Sequence, residues 1–154
     1  MISLKKILVA DDFSEHSEVA LHYAAEFAKA FQADVIVCHV VEGATILSQM
    51  PPGGEAYFPP NLTEVQEQTA RGQFAERLPQ AGLPDAVVEI PVGKPFVEIV
   101  RLAKERNADL IILGTHGRGA IAHVLLGSVA EKVVRKAPCP VLTVRQGEHE
   151  FVMP

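Results

Sequence analysis

Asp109–Ser128, DLIILGTHGRGAIAHVLLGS, is the stretch on which the reading of the fold turns. Asp109–Leu113 is a short apolar run that leads straight into Gly114, which reads as a strand ending in a loop. Behind Ser128, the residues Val129, Ala130, Val133 and Val134 form an apolar stripe at helical spacing. Downstream, that helix must end near Pro138, and Pro140–Arg145 (PVLTVR) gives one more strand. Upstream, Pro95 sits where a first helical turn starts, and Phe96, Ile99, Val100 and Ala103 mark its buried face. Ala86–Val92 (AVVEIPV) reads as a strand, and Pro91 suits an edge or strand end. A weaker helix runs from about residue 61 to 80, with Ala70, Phe74 and Leu78 spaced by four and Gly72 interrupting. Residues 42 to 60 contain MPPGGEAYFPP and form a loop. Asp34–Val41 (DVIVCHVV) is apolar nearly throughout, as expected of a strand covered on both faces. Ser14 caps a helix whose face is Ala20, Tyr23, Ala24, Phe27, Ala28 and Phe31, and Lys6–Ala10 (KILVA) is the first strand.

The order is therefore β-α-β-α-β-α-β-α-β. Strands that alternate with helices need crossovers, so the expected fold is α/β, a mostly parallel five-stranded sheet with helices on both faces. Residues 1–146 form the expected domain and 147–154 a C-terminal tail. The chain has 154 residues, 48% of them hydrophobic, which excludes a disordered chain. Its 14 Lys+Arg against 19 Asp+Glu leave a net charge of −5. That balance argues against nucleic acid as a partner and against a polybasic membrane anchor. No apolar run approaches the ~18 residues of a membrane-spanning helix, and the apolar start stops at Asp11 and Asp12, too soon for a signal peptide. Cys38 and Cys139 make no CxxC and read as two thiols of a cytoplasmic protein, with a disulfide between them as the alternative.

In such a sheet ligands bind beyond the carboxyl ends of the strands, where strand order reverses. Three ends carry information: Asp11-Asp12, Val40-Val41 and Gly114. Gly114, Gly117, Gly127 and Ser128 make G-x2-G-x9-G-S, whose last two residues open a helix. Glycines let backbone amides approach an anion, and amides at a helix N-terminus carry a partial positive charge. Ser128 adds a hydroxyl donor. The expected ligand group is phosphate, with Gly127 giving space or a backbone angle that only glycine tolerates.

Over nearly its whole length the chain resembles the universal stress protein family, in its ATP-binding branch. The likeness lies in KKILVADDFSEHSEVAL, VIVCHVVE, VGKPFVEIVRLAKERNADLIILGTHGRG and LLGSVAEKVVRKAPCPVLTVR. The resemblance implies strand order 3-2-1-4-5 and an adenine nucleotide (ATP, ADP or AMP) as ligand, with Mg²⁺ as a possible companion. It implies phosphates on the amides of Gly114, Gly117 and Gly127 and on the Ser128 hydroxyl, Asp12 near the adenosine, and the Val40 backbone against adenine. With their neighbours, the candidate contacts are Ala10, Asp11, Asp12, Val40, Gly114, Thr115, His116, Gly117, Arg118, Gly127, Ser128 and Val129. Asp11 is a departure, since relatives often carry Thr there; a second carboxylate either recruits Mg²⁺ or weakens phosphate binding. Arg118 lies in solvent or reaches a phosphate, His116 faces the ligand or not, and His39 reads as a satisfied core residue. The resemblance and the open last strand together imply a homodimer joined through Val141–Arg145.

Catalytic signatures are absent. There is no GxSxG, no GxxxxGK[ST] with its phosphate-binding lysine, and no HExxH or Cys/His cluster. The expected function is a nucleotide-binding stress-response regulator that acts through ligand-dependent conformation of the 114–127 and 42–60 loops. The alternatives are a slow ATPase or phosphotransferase using the same pocket, and a nucleotide-free dimeric scaffold.

Overall fold

Lys6–Ala10 (β1) is the centre of the sheet, and its side chains divide by parity between two apolar layers. Ile7 and Val9 enter one core and Leu8 the other; all three are fully buried. The computed structural model describes residues 1–42, 61–116 and 126–145. The elements that follow β1 are α1 (Glu15–Phe31), β2 (Asp34–Cys38), α2 (Leu62–Gln80), β3 (Val87–Glu89), α3 (Pro95–Glu105), β4 (Leu110–Gly114), α4 (Ser128–Lys136) and β5 (Val141–Val144). The sheet is parallel with order β3-β2-β1-β4-β5, as the resemblance implies. Leu8 pairs with Ile36 on one side and Ile111 on the other.

On one face α1 and α2 cover Ile7, Val9, Val35, Val37 and Ile112 with Leu21, Ala24, Phe74 and Leu78. On the other, α3 and α4 cover Leu8, Ile36, Ile111 and Leu113 with Ile99, Leu102, Ala130 and Val133. The Ser14 hydroxyl accepts from the Ser17 amide at 3.2 Å and so caps α1, and Gln32 ends it in the left-handed region. Among the described residues no helix is long and apolar enough to cross a membrane. Both cysteines are free thiols.

Two strands are shorter than their apolar runs. β2 stops at Cys38 instead of Val41, and β3 spans Val87–Glu89 instead of 86–92. Pro91 has no N–H to return to the ladder, so beyond Glu89 the pairing thins to a single Val41–Val92 bridge. β4 begins at Leu110 and keeps Gly114, because Asp109 has another task. Its carboxylate accepts the amides of Lys5 and Lys6 at 2.8 and 2.9 Å, while its own amide donates to the Lys6 carbonyl. These bonds hold the carboxyl below the usual aspartate range. A depressed value means that Asp109 stabilises the fold above the unfolded aspartate value and loses that contribution as pH falls through its folded one. Asp109→Ala is expected to cost about 1 kcal/mol, a melting drop of roughly 2–4 °C, given the partial exposure of the pair. Thermal melts at pH 7 and pH 3 check this: the deficit shrinks at the lower pH.

Candidate functional site

The order β3-β2-β1-β4-β5 reverses between β1 and β4, so α1 and α3 leave on opposite faces and a cleft opens above those strand ends. The cleft has a volume of about 640 Å³. Ala10, Asp11 and Asp12 enter it from β1, Val40 from the end of β2, Gly114, Thr115 and His116 from β4, and Gly127, Ser128 and Val129 from the start of α4. The structure thus brings together every described residue of the sequence-derived set; Gly117 and Arg118, residues 43–60 of the expected 42–60 loop and the expected 147–154 tail lie outside the described residues. Helix α2 adds a wall of Val65, Gln66, Thr69, Ala70 and Gln73, which sequence reasoning did not assign. A larger concavity, about 780 Å³, lies at the opposite strand ends between Asp34, Leu83 and Arg106, where Arg106 is already paired with Glu89.

The two described glycines of the motif both sit against close neighbours. A methyl group on Gly114 would lie 2.8 Å from the His16 Cβ and 3.1 Å from its backbone carbon, so this glycine lets β4 approach α1. The Gly127 amide donates to the Thr115 carbonyl at 2.6 Å and is therefore spent on joining the two ends of the loop, not left for an anion. Its φ of −66° is open to any residue; space, not angle, requires glycine there. The N-terminal amides of α4 that remain are those of Ser128, Val129 and Ala130, all on the cleft.

Asp11 and Asp12 part company. Asp12 is half-buried, and its Oδ1 accepts the Ser14 amide at 3.0 Å. The Asp11 side chain is wholly buried: Oδ1 accepts from the Phe13 amide and the Ser17 hydroxyl, both at 2.7 Å, and Oδ2 lies 3.5 Å from Arg77 Nη2. Burial raises its pKa against the pull of those partners. With the folded value raised, Asp11 favours the fold when protonated, and that contribution is lost as pH rises through the folded value. A carboxylate so engaged does not fit a cation, and among the described residues no group of three His, Cys, Asp or Glu could hold one. Phe13, held at φ 63°, leaves the turn in a left-handed conformation that the Asp11 acceptor supports.

His39 lies just past β2, on the cleft rather than in the core. Its Nδ1 is 2.9 Å from the Asp11 carbonyl, and a carbonyl only accepts, so Nδ1 carries the proton. Its ring packs on Phe13 at 4.5 Å. His116 faces the cleft, with Nδ1 3.0 Å from Thr115 Oγ1 and its ring 5.5 Å from that of His16. Cys38 lies at the base, where burial pushes its thiol up to about 12, which keeps it protonated and unreactive at neutral pH. Val40 is informative through its backbone. His39 and Val41 send their amides to Glu89 and Pro91 carbonyls on the β3 side. By strand alternation, the N–H and C=O of Val40 point the other way, where β1 has already ended.

Comparison with known proteins places this geometry. The model of the universal stress protein family matches residues 3–145. Universal stress protein MJ0531 of Methanocaldococcus jannaschii is 34% identical over 146 residues, which cover 95% of this chain and 85% of that one. The structure of hypothetical protein MJ0577 is similar with a TM-score of 0.80 at 32% identity, covering 96% of this chain and 99% of its own. A universal stress protein in complex with cAMP is similar with a TM-score of 0.67 at 29% identity, covering 95% of this chain and all (100%) of its own.

The close approaches at the two glycines predict that Gly114→Ala costs about 1–3 kcal/mol, because a helix backbone must move to admit the methyl. Gly127→Ala, whose methyl would meet the Thr115 carbonyl oxygen at 2.9 Å, is expected to cost a similar amount. Denaturant unfolding of the two variants and wild type checks both.

Proposed function

The chain belongs to the universal stress protein family, and on that premise we propose that it is a regulatory protein that binds an adenine nucleotide (ATP, ADP or AMP) in the cleft above β1 and β4. The observation that carries this reading is the pairing of two recognition elements across one cleft. At one side, Val40 presents an N–H and a C=O together, a donor and an acceptor that suit the N1 and N6 edge of adenine. At the other, the first amides of α4 and the Ser128 hydroxyl suit a phosphate. Asp12 lines the same cleft and is the side chain proposed to meet the ribose. Val41, Ile99 and Leu113 supply apolar lining for the base. The complex of a relative with cAMP supports the same ligand class.

The charges on the cleft are Asp11, Asp12 and Glu42, with no lysine or arginine among its described residues. In this reading the described groups that hold phosphate are amides and a hydroxyl, and Mg²⁺ enters it only as a companion of the nucleotide's own phosphates. The sequence has no GxxxxGK[ST] lysine, which argues for binding over phosphoryl transfer, a chemistry that draws on such positive charge to stabilise the transferring group. The bound nucleotide acts by fixing the segments that meet it, and these lead into the 43–60 and 117–125 stretches.

The edge position of β5 supports a homodimer. Val141, Leu142 and Thr143 are half-buried in the single chain, and among the described residues no strand pairs with their outer ladder. Two-fold pairing through this edge satisfies that ladder. Sedimentation equilibrium at tens of micromolar is expected to give twice the chain mass; a monomer sinks the dimer.

Calorimetric titration tests the ligand. Wild type is expected to take up AMP or ATP and to bind GMP at least tenfold more weakly, since guanine places a donor where Val40 needs an acceptor. Asp12→Ala loses a charged hydrogen bond of about 1.5–3 kcal/mol, or ten- to a hundredfold in affinity, with the melt little changed. Phosphate release from ATP stays far below ~1 s⁻¹. Absence of heat with all three nucleotides rejects the reading.

A further inference from the structure

We propose that Arg77 is a positioning residue of the cleft: its ion pair with the buried Asp11 carboxylate locks helix α2 against the end of β1. The proposal rests on the nucleotide reading for its effect on affinity, and on the structure alone for the lock.

Four observations carry it. Arg77 and Asp11 are 66 positions apart in sequence, yet their charged groups lie 3.5 Å apart, with the Arg77 side chain 24% exposed and that of Asp11 fully buried. The Arg77 guanidinium also lies over the Phe13 ring, 5.6 Å from its centre, and Phe13 in turn packs on Phe74 of α2 at 4.9 Å. Arg77 is on the same helix as Gln66, Thr69 and Gln73, which form a wall of the cleft. Asp11 precedes Asp12 directly, and its other oxygen holds the turn that presents Asp12. One charge pair therefore ties a wall of the cleft to the residue that reaches into it.

Helix α2 needs such a tie. Only Ala70, Phe74 and Leu78 of its 19 residues are buried among the described contacts, a narrow seam for so long a helix. The Asp11 Oδ2 and Arg77 Nε and Nη2 atoms are buried without a hydrogen-bond partner, so the attraction between them is what offsets their loss of water. Removing one partner leaves the other as an uncompensated buried charge; removing both does not. The groups that also face Asp11 are Asp12 on its own turn, and Cys38 and His39 from the end of β2. They are common to every variant below.

The test compares wild type, Arg77→Met, Asp11→Asn and the double variant. Met keeps the apolar stem on Phe13, and Asn keeps an acceptor for the Phe13 amide. Hydrogen-exchange mass spectrometry of helix 62–80 is run without ligand, and AMP affinity is measured at pH 7.5 and pH 5. Each single variant is expected to speed exchange in α2 and to weaken AMP by about tenfold at pH 7.5. The double variant is no worse than the weaker single one. The Arg77→Met deficit in affinity narrows as pH falls through the Asp11 titration, since it exists only while Asp11 is ionised. In the Asp11→Asn background, adding Arg77→Met has little effect at either pH. Unchanged exchange in α2, or deficits that multiply in the double variant, overturns the lock. If wild type takes up no AMP, the nucleotide reading and the claim on affinity fall, and the exchange data decide the lock by themselves.

Discussion

The pairing of β1 with β4 is the constraint from which the rest of the molecule follows. It joins segments about a hundred residues apart, so it closes a long loop that only direct bonds and burial can hold shut. Asp109 reinforces it at the lower end by accepting two successive amides of the incoming strand. At the upper end, Gly114 lets the same strand press against the first turn of α1. Because β2 and β3 fill one side of β1 before β4 takes the other, the helices after β1 and β3 diverge. The cleft is the space that this divergence leaves, and its chemistry is whatever the strand ends happen to carry.

Much of this is legible in the residues. β1 and the start of α4 stand where the apolar period changes, and the Ser14 cap and Pro95 mark two helix starts. Strand order comes from family resemblance, since alternation of strands and helices admits several orders. The apolar runs overstate β2 and β3 because a strand ends where its partner stops bonding. Pro91 acts on a neighbour distant in sequence, and apolar content at Val40 and Val41 hides that. The glycine motif does not disclose the crowding of its members: the close approach to His16 and Thr115 depends on elements that meet only in the fold. Neither Arg77 nor the α2 wall leaves a local signal, because an exposed-looking arginine on a weakly amphipathic helix reads as solvated.

Among its described residues the cleft carries no lysine or arginine, so the proposed phosphate site differs in plan from lysine-based ones. In the proposed reading, anion binding falls to helix amides, which carry fixed partial charge and no net proton. A cation brought in on a flexible side chain would serve transfer chemistry; a helix end serves retention. Asp11 illustrates the same economy of charge. Its carboxylate stands beside the cleft yet turns its acceptors toward Phe13, Ser17 and Arg77, so that Asp12 alone of the two keeps its position as a candidate ligand contact.

The central place of β1 also has a consequence for the growing chain. Its first neighbour, β2, is complete by Cys38, but its second begins only at Leu110. At synthesis rates of about 5–20 residues per second, the strand waits roughly 4–14 s with one edge open. During that interval Ile7, Leu8 and Val9, the most deeply buried run in the finished protein, form the edge of an incomplete sheet. The strand that the mature molecule protects best is thus the one that a nascent chain exposes longest, and it is where a chaperone would have most to shield.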